Sequence, residues 1–84
     1  MITNFTTSKG LTIRPGDKFR DSRKSNIRTL LVDHLAEQLG VMRAHCIVVR
    51  QEYEGEVTEP MRPTVMEAER LGSRAFLPVP KDEQ

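Results

Sequence analysis

The chain has 84 residues, with 13 Lys and Arg against 12 Asp and Glu for a formal net charge of +1; this excludes a second domain and removes any global electrostatic case for a polyanion partner. Hydrophobic residues make up 37% and charged residues 30%, with no Trp, one Tyr and three Phe, which predicts a compact domain with a small core and excludes the highly charged composition of a disordered chain. A lone Cys46 makes no intramolecular disulfide, residues 1–10 lack the basic-then-apolar order of a signal peptide, and no apolar run approaches the ~20 residues that span a bilayer. The expectation is a reduced, cytoplasmic protein with no membrane segment.

In chain order, residues 1–10 are polar apart from Ile2 and Phe5 and are expected to form a flexible arm. Leu11 and Ile13 begin an apolar run that ends in a turn at Pro15-Gly16-Asp17, where Pro presets one backbone angle and Gly supplies the permissive one. Phe19 re-enters the core, and 22–26 is a polar, positively charged loop. The folded domain is expected over 11–80, and 81–84 forms a charged tail after Pro78 and Pro80.

Residues 27–39 are the central question. As a helix, Ile27, Leu30, Leu31, Leu35 and Leu39 share one face, Ser25 or Asn26 caps the start and Gly40 closes the end. As a strand, 29–32 is partly β-branched, 37–42 with Gly40 is a hairpin loop, and 44–50 with Ile47, Val48 and Val49 carries a clear β signal. The strand at 44–50 needs neighbours, and a helix at 27–39 leaves it few. The strand reading therefore predicts a mainly β fold; a small α+β domain with a helix over 27–39 is the alternative. One short helical turn is expected within 66–72, closed by Gly72, with Met66 in the core.

The runs Pro15-Gly16-Asp17-Lys18-Phe19-Arg20-Asp21, Arg28-Thr29-Leu30-Leu31-Val32-Asp33, Ala44-His45-Cys46-Ile47-Val48 and Arg62-Pro63-Thr64-Val65, followed by Arg70-Leu71 and Arg74-Ala75-Phe76-Leu77, resemble a group of small uncharacterised proteins of actinobacteria and their phages. The resemblance implies a small SH3-like or KOW-like, partly open β-barrel of about five strands, in which the Gly-Asp turn opens the first strand.

Alternation along such strands places Leu30 and Val32 on one side and Leu31 on the other, and sets Ala44, Cys46 and Val48 against His45, Ile47 and Val49. A small barrel fills one interior, so Leu31, Ile47 and Val49 are expected to form an external apolar strip, a partner or dimer surface; the alternative is that the arm folds over it. Charge is dipolar along the chain: 1–28 holds seven basic and two acidic residues, 29–60 two and six, and 61–84 four of each. Lys18, Arg20, Arg23, Lys24 and Arg28 are close enough to act together on a phosphate backbone, or else to be a solvated loop.

No catalytic set emerges. His45 and Cys46 are adjacent and point to opposite faces of a strand, which leaves His34 without a partner set, so no metal is expected. Cys46 lies in the most apolar segment, where burial raises a thiol's pKa and makes it inert. Asp17 belongs to a turn, and Asp21 is expected to be held ionised by Arg20 and Arg23. No Gly-rich phosphate loop or nucleophile elbow is present, and no cofactor is expected. The reading is a noncatalytic interaction module, an accessory protein of a phage or actinobacterium that binds itself as a homodimer or binds a host protein. The alternative is a nucleic-acid-associated KOW-like barrel; the acidic stretch 52–59 and the single aromatic near the basic cluster, Phe19, weigh against it.

Overall fold

The computed structural model describes residues 2–80, so the tail at 81–84 lies outside the described residues. The fold is mainly β and antiparallel, built around one long hairpin. Its arms are β4 (Ile27–Gln38) and β5 (Val41–Tyr53). They are joined at Leu39 and Gly40, whose φ values of 52° and 79° are the left-handed pair that a two-residue hairpin turn requires. The helix considered for 27–39 does not form. Its apolar residues are divided between two faces by the pleat, and Leu39, which a helix would bury, is 97% exposed at the hairpin tip. Pairing continues to Gln38 and Val41, so the loop expected over 37–42 shrinks to two residues.

The main sheet has β5 at its centre. On one side the order runs through β4 to β3 (Lys18–Asp21) and then β8 (Phe76–Pro78); on the other, β7 (Arg62–Glu67) pairs with the first half of β5 and β6 (Glu56–Thr58) with its end. Glu54 and Gly55, both at positive φ, make the turn into β6. β7 and β8 are not paired with each other, so the sheet does not close into a barrel. In place of about five strands there are six in this sheet and a separate two-stranded hairpin, β1 (Phe5–Thr6) with β2 (Thr12–Ile13).

Two bulges curve the long hairpin. Val49 is extra between the pairs Thr29↔Arg50 and Leu30↔Val48, and Asp33 is extra between Val32↔Cys46 and His34↔His45. Each extra residue reverses the alternation on its strand and bends it. Val32 and Leu35, three apart, therefore both face inward.

The inner face carries Phe19, Leu30, Val32, Leu35, Ala44, Cys46 and Val48, packed with Ile13, Phe76 and the Ala68 and Leu71 of α1 (Ala68–Leu71). That one-turn helix is the expected one, and Gly72 closes it with its N–H on the Glu69 carbonyl. Gly72 is needed for space: a Cβ there would lie 2.8 Å from Thr7 Oγ1.

Residues 2–10, expected as a flexible arm, are tied to the fold. Ile2 bridges to Leu35, β1 pairs with β2, and Thr7 is buried. The Ser8 N–H and hydroxyl both donate to Glu69 on α1, at 2.6 and 2.9 Å. Ile2 and Phe5 supply the reason, since both pack against the core. The segment thus covers the inner side of the sheet and not the outer strip.

The free edge of β8 is short of donors. Val79 N–H donates to the Lys18 carbonyl at 2.9 Å and Ser22 N–H to the Ala75 carbonyl at 3.0 Å, which sets the ladder so that Phe76 and Pro78 turn their backbone outward. Phe76 N–H is taken by the Ser73 carbonyl, and Pro78 and Pro80 have no N–H to offer.

Candidate functional site on the outer sheet face

Residues directly opposite in an antiparallel ladder share a face, so the register lays out the outer surface in rows across the strands. One row is Leu77, Arg20, Thr29 and Arg50; the next is Lys18, Leu31, Ile47 and Pro63; a third is His34, His45 and Val65. The bulged Val49 lies between the first two. Leu31, Ile47 and Val49 thus share one face, each half-buried.

The basic cluster of the sequence divides. Asp21 points inward, is 5% exposed, and accepts from the Arg28 backbone N–H at 2.8 Å, from Arg28 Nε at 2.9 Å and from Arg28 Nη2 at 3.2 Å. Arg23 adds a longer contact of 3.4 Å and donates through Nε to the Asn26 carbonyl. Burial pushes the Asp21 carboxyl up, but the hydrogen bonds and charge of Arg28, with the charge of Arg23, more than offset it and hold the group below its ordinary value. Arg28 is therefore committed to the fold. The expected partner Arg20 is not involved, because it lies on the opposite face of β3.

Lys18 and Arg20 remain, joined by a residue that sequence reasoning missed, Arg50 on β5. Arg50 is thirty residues from Arg20 in the chain, and only the β3–β4–β5 register brings the two into one row. Lys18, Arg20 and Arg50 make no ion pair or side-chain hydrogen bond among the described residues. With Val49 and Leu77 they line an open trough of about 460 Å³, and Glu59 is the acidic member of its lining. Lys24 and Arg23 stand apart in the exposed loop between β3 and β4. The trough offers fixed positive charge beside apolar surface.

His34 and His45 stack at 4.3 Å between ring centroids with 12° between planes, and Asp33 lies 2.8 Å from His34 Nδ1. Cys46, one residue from His45, faces the core, so the adjacent pair diverges as the pleat requires. Burial, with the nearby Asp33 charge, pushes its thiol up to about 11, and its Sγ sits 3.8 Å from the Ala44 carbonyl. Among the described residues no three His, Cys, Asp or Glu side chains converge as metal ligands, and no helix is long and apolar enough to cross a membrane.

No family model, curated protein or solved structure matches this chain.

Proposed function

We propose that the chain is a noncatalytic interaction module that binds itself or a host protein through the outer face of its sheet. The observation that carries this reading is the row Lys18, Leu31, Ile47 and Pro63 beside Arg20 and Arg50, cations with no ion-pair partner among the described residues: a partly apolar surface that the β1–β2 segment leaves uncovered. Half-buried aliphatic residues flanked by charge are the composition of an interface whose centre is apolar and whose rim is polar. An SH3-like identity belongs to the same proposal. The path β8, β3, β4, β5, β7, with the helical turn α1 between β7 and β8, is a strand order that supports it, as does the resemblance to small proteins of actinobacteria and their phages.

Sedimentation at high micromolar concentration tests the reading. A reversible dimer weakened by Ile47→Glu with Val49→Glu, in a protein whose circular dichroism is unchanged, is the expected result. A dimer indifferent to both substitutions would refute this face as the contact.

A second reading, a nucleic-acid-associated barrel, draws on Lys18, Arg20 and Arg50 as phosphate contacts. It requires binding that falls steeply with salt, with a slope flattened by about one to two when Arg20 and Arg50 become Gln.

A further inference from the structure

The trough on the outer face holds an uneven set of charges. Lys18, Arg20 and Arg50 line it against one carboxylate, Glu59, and none of the three cations has an ion-pair partner among the described residues. Arg20 and Arg50 flank Thr29 in a single row across β3, β4 and β5, so their backbones stand two strand spacings, about 10 Å, apart. Lys18 is two residues from Arg20 on the same face of β3. Aliphatic surface closes the row at both ends: Val49 beside Arg50, and Leu77, 46% exposed, beside Arg20, with Pro78 and Pro80 behind it.

We infer that the trough is a docking site for a short, extended acidic segment of a protein partner, with carboxylates on Arg20 and Arg50 and aliphatic side chains on Leu77 and Val49. The inference rests on the reading of the outer face as the interaction surface and names the chemistry of its partner. Charge complementarity selects the acids, since a guanidinium grips a carboxylate through two parallel hydrogen bonds. A separation of about 10 Å is that of residues three apart in an extended chain, so one short segment reaches both arginines. The aliphatic ends select a peptide over a phosphate backbone, which has no apolar side chain to place there. Among the described residues no aromatic ring lines the trough for a base to stack on. The basic run is also short: on the β5 side it is bounded by Glu59 and by Glu52, two residues beyond Arg50 on the same face, where a continuous polyanion would meet like charge. Pro78 and Pro80 have no N–H to pair with an added strand, so side chains are what grip the segment.

Fluorescence anisotropy tests this with the full chain and a labelled peptide that carries two glutamates three positions apart and a leucine outside each. Affinity is expected to fall about tenfold when both glutamates become glutamine, and about tenfold in the Arg20→Gln, Arg50→Gln variant, whose circular dichroism stays unchanged because both side chains are exposed. Added salt weakens binding. Leu77→Ser is expected to weaken the leucine peptide severalfold and to leave a peptide with serine in place of leucine unaffected, which assigns the apolar contact to that end of the trough. Equal binding of the glutamine peptide, or undiminished binding by the Arg20→Gln, Arg50→Gln variant, overturns the site. An oligothymidylate that displaces the labelled peptide at lower concentration than the unlabelled peptide does makes the ligand a nucleic acid and overturns the acidic segment. Absence of binding to the wild type at millimolar peptide overturns it as well. Sedimentation keeps two failures apart: if no peptide binds but Ile47→Glu with Val49→Glu weakens a dimer, the outer face is an interface and only its acidic occupant is refuted, whereas a protein that neither binds peptide nor dimerises refutes both.

Discussion

The two faces of the β4–β5 hairpin are written in nearly the same residues and have different fates. Leu30, Val32, Cys46 and Val48 point inward and are all but completely buried, whereas Leu31, Ile47 and Val49, interleaved with them, are only partly buried. Composition does not separate the two sets; what covers them does. The inner face is closed by α1 and by the β1–β2 hairpin, which is held there by Ile2, Phe5 and the Ser8 to Glu69 hydrogen bonds. Among the described residues nothing equivalent lies over the outer face. Among the described residues the chain covers one of the two apolar faces of this hairpin and leaves the other partly exposed.

The largest expected effect contrasts adjacent residues. Leu30→Ala removes a fully buried side chain and should cost about 4 kcal/mol by cavity formation, while Leu31→Ala should cost about 1 kcal/mol or less. Urea denaturation of both variants checks this, and equal costs would erase the distinction between the faces.

β3 sharpens the comparison with charge. Asp21→Ala leaves Arg28 without its buried partner and should destabilise by about 3 kcal/mol, against a change within about 0.5 kcal/mol for the outward Arg20→Ala. Because the Asp21 carboxyl is held below its ordinary value of 3.8, its contribution is present at neutral pH and is lost as pH falls below about 4 through the lowered value. Asp21→Asn should flatten that acid limb of the stability profile.

Cys46 gives the smallest effect of the three. With its thiol raised from 9.0 to about 11 in the fold, the native state keeps a proton that the unfolded chain releases. Stability is unaffected below about pH 9 and falls as pH rises from there to about 11, by about 2 to 3 kcal/mol at the top of the range. Cys46→Ala should remove that slope, whatever its own cost in packing; a slope that survives the substitution would place the titration elsewhere.

Much of this architecture is legible in the sequence. The β signal at Ile47, Val48 and Val49, the demand of that strand for neighbours, the turn at Gly40 and the helical turn ended by Gly72 are all local, and alternation alone assigns Leu30 and Leu31 to opposite faces. What escapes is non-local. A bulge such as Asp33 or Val49 has no sequence signature, because the extra residue is defined by what stands opposite it. The same holds for the site. Proximity in the chain groups Arg28 with Lys18 and Arg20, yet Arg28 points inward to Asp21, and the residue that joins Arg20 in its row is Arg50. The anchoring of 2–10 is also invisible locally, since polar residues there leave the decisive packing to Ile2 and Phe5.

The prolines at the edge of β8 bear on how far any assembly can extend. An open sheet is normally a template on both sides, and unpaired backbone donors invite another strand. Here the backbone facing outward over 76–80 has Phe76 N–H already engaged and Pro78 and Pro80 with none, so a strand laid along β8 finds acceptors but no donors. At the opposite end of the main sheet, among the described residues, the side formed by β7 and β6 has no such seal. Two copies meeting there would expose a sealed β8 at each end, and the stack would terminate at two; a built-in stop of this kind lets the molecule keep an open sheet without becoming the seed of a fibre.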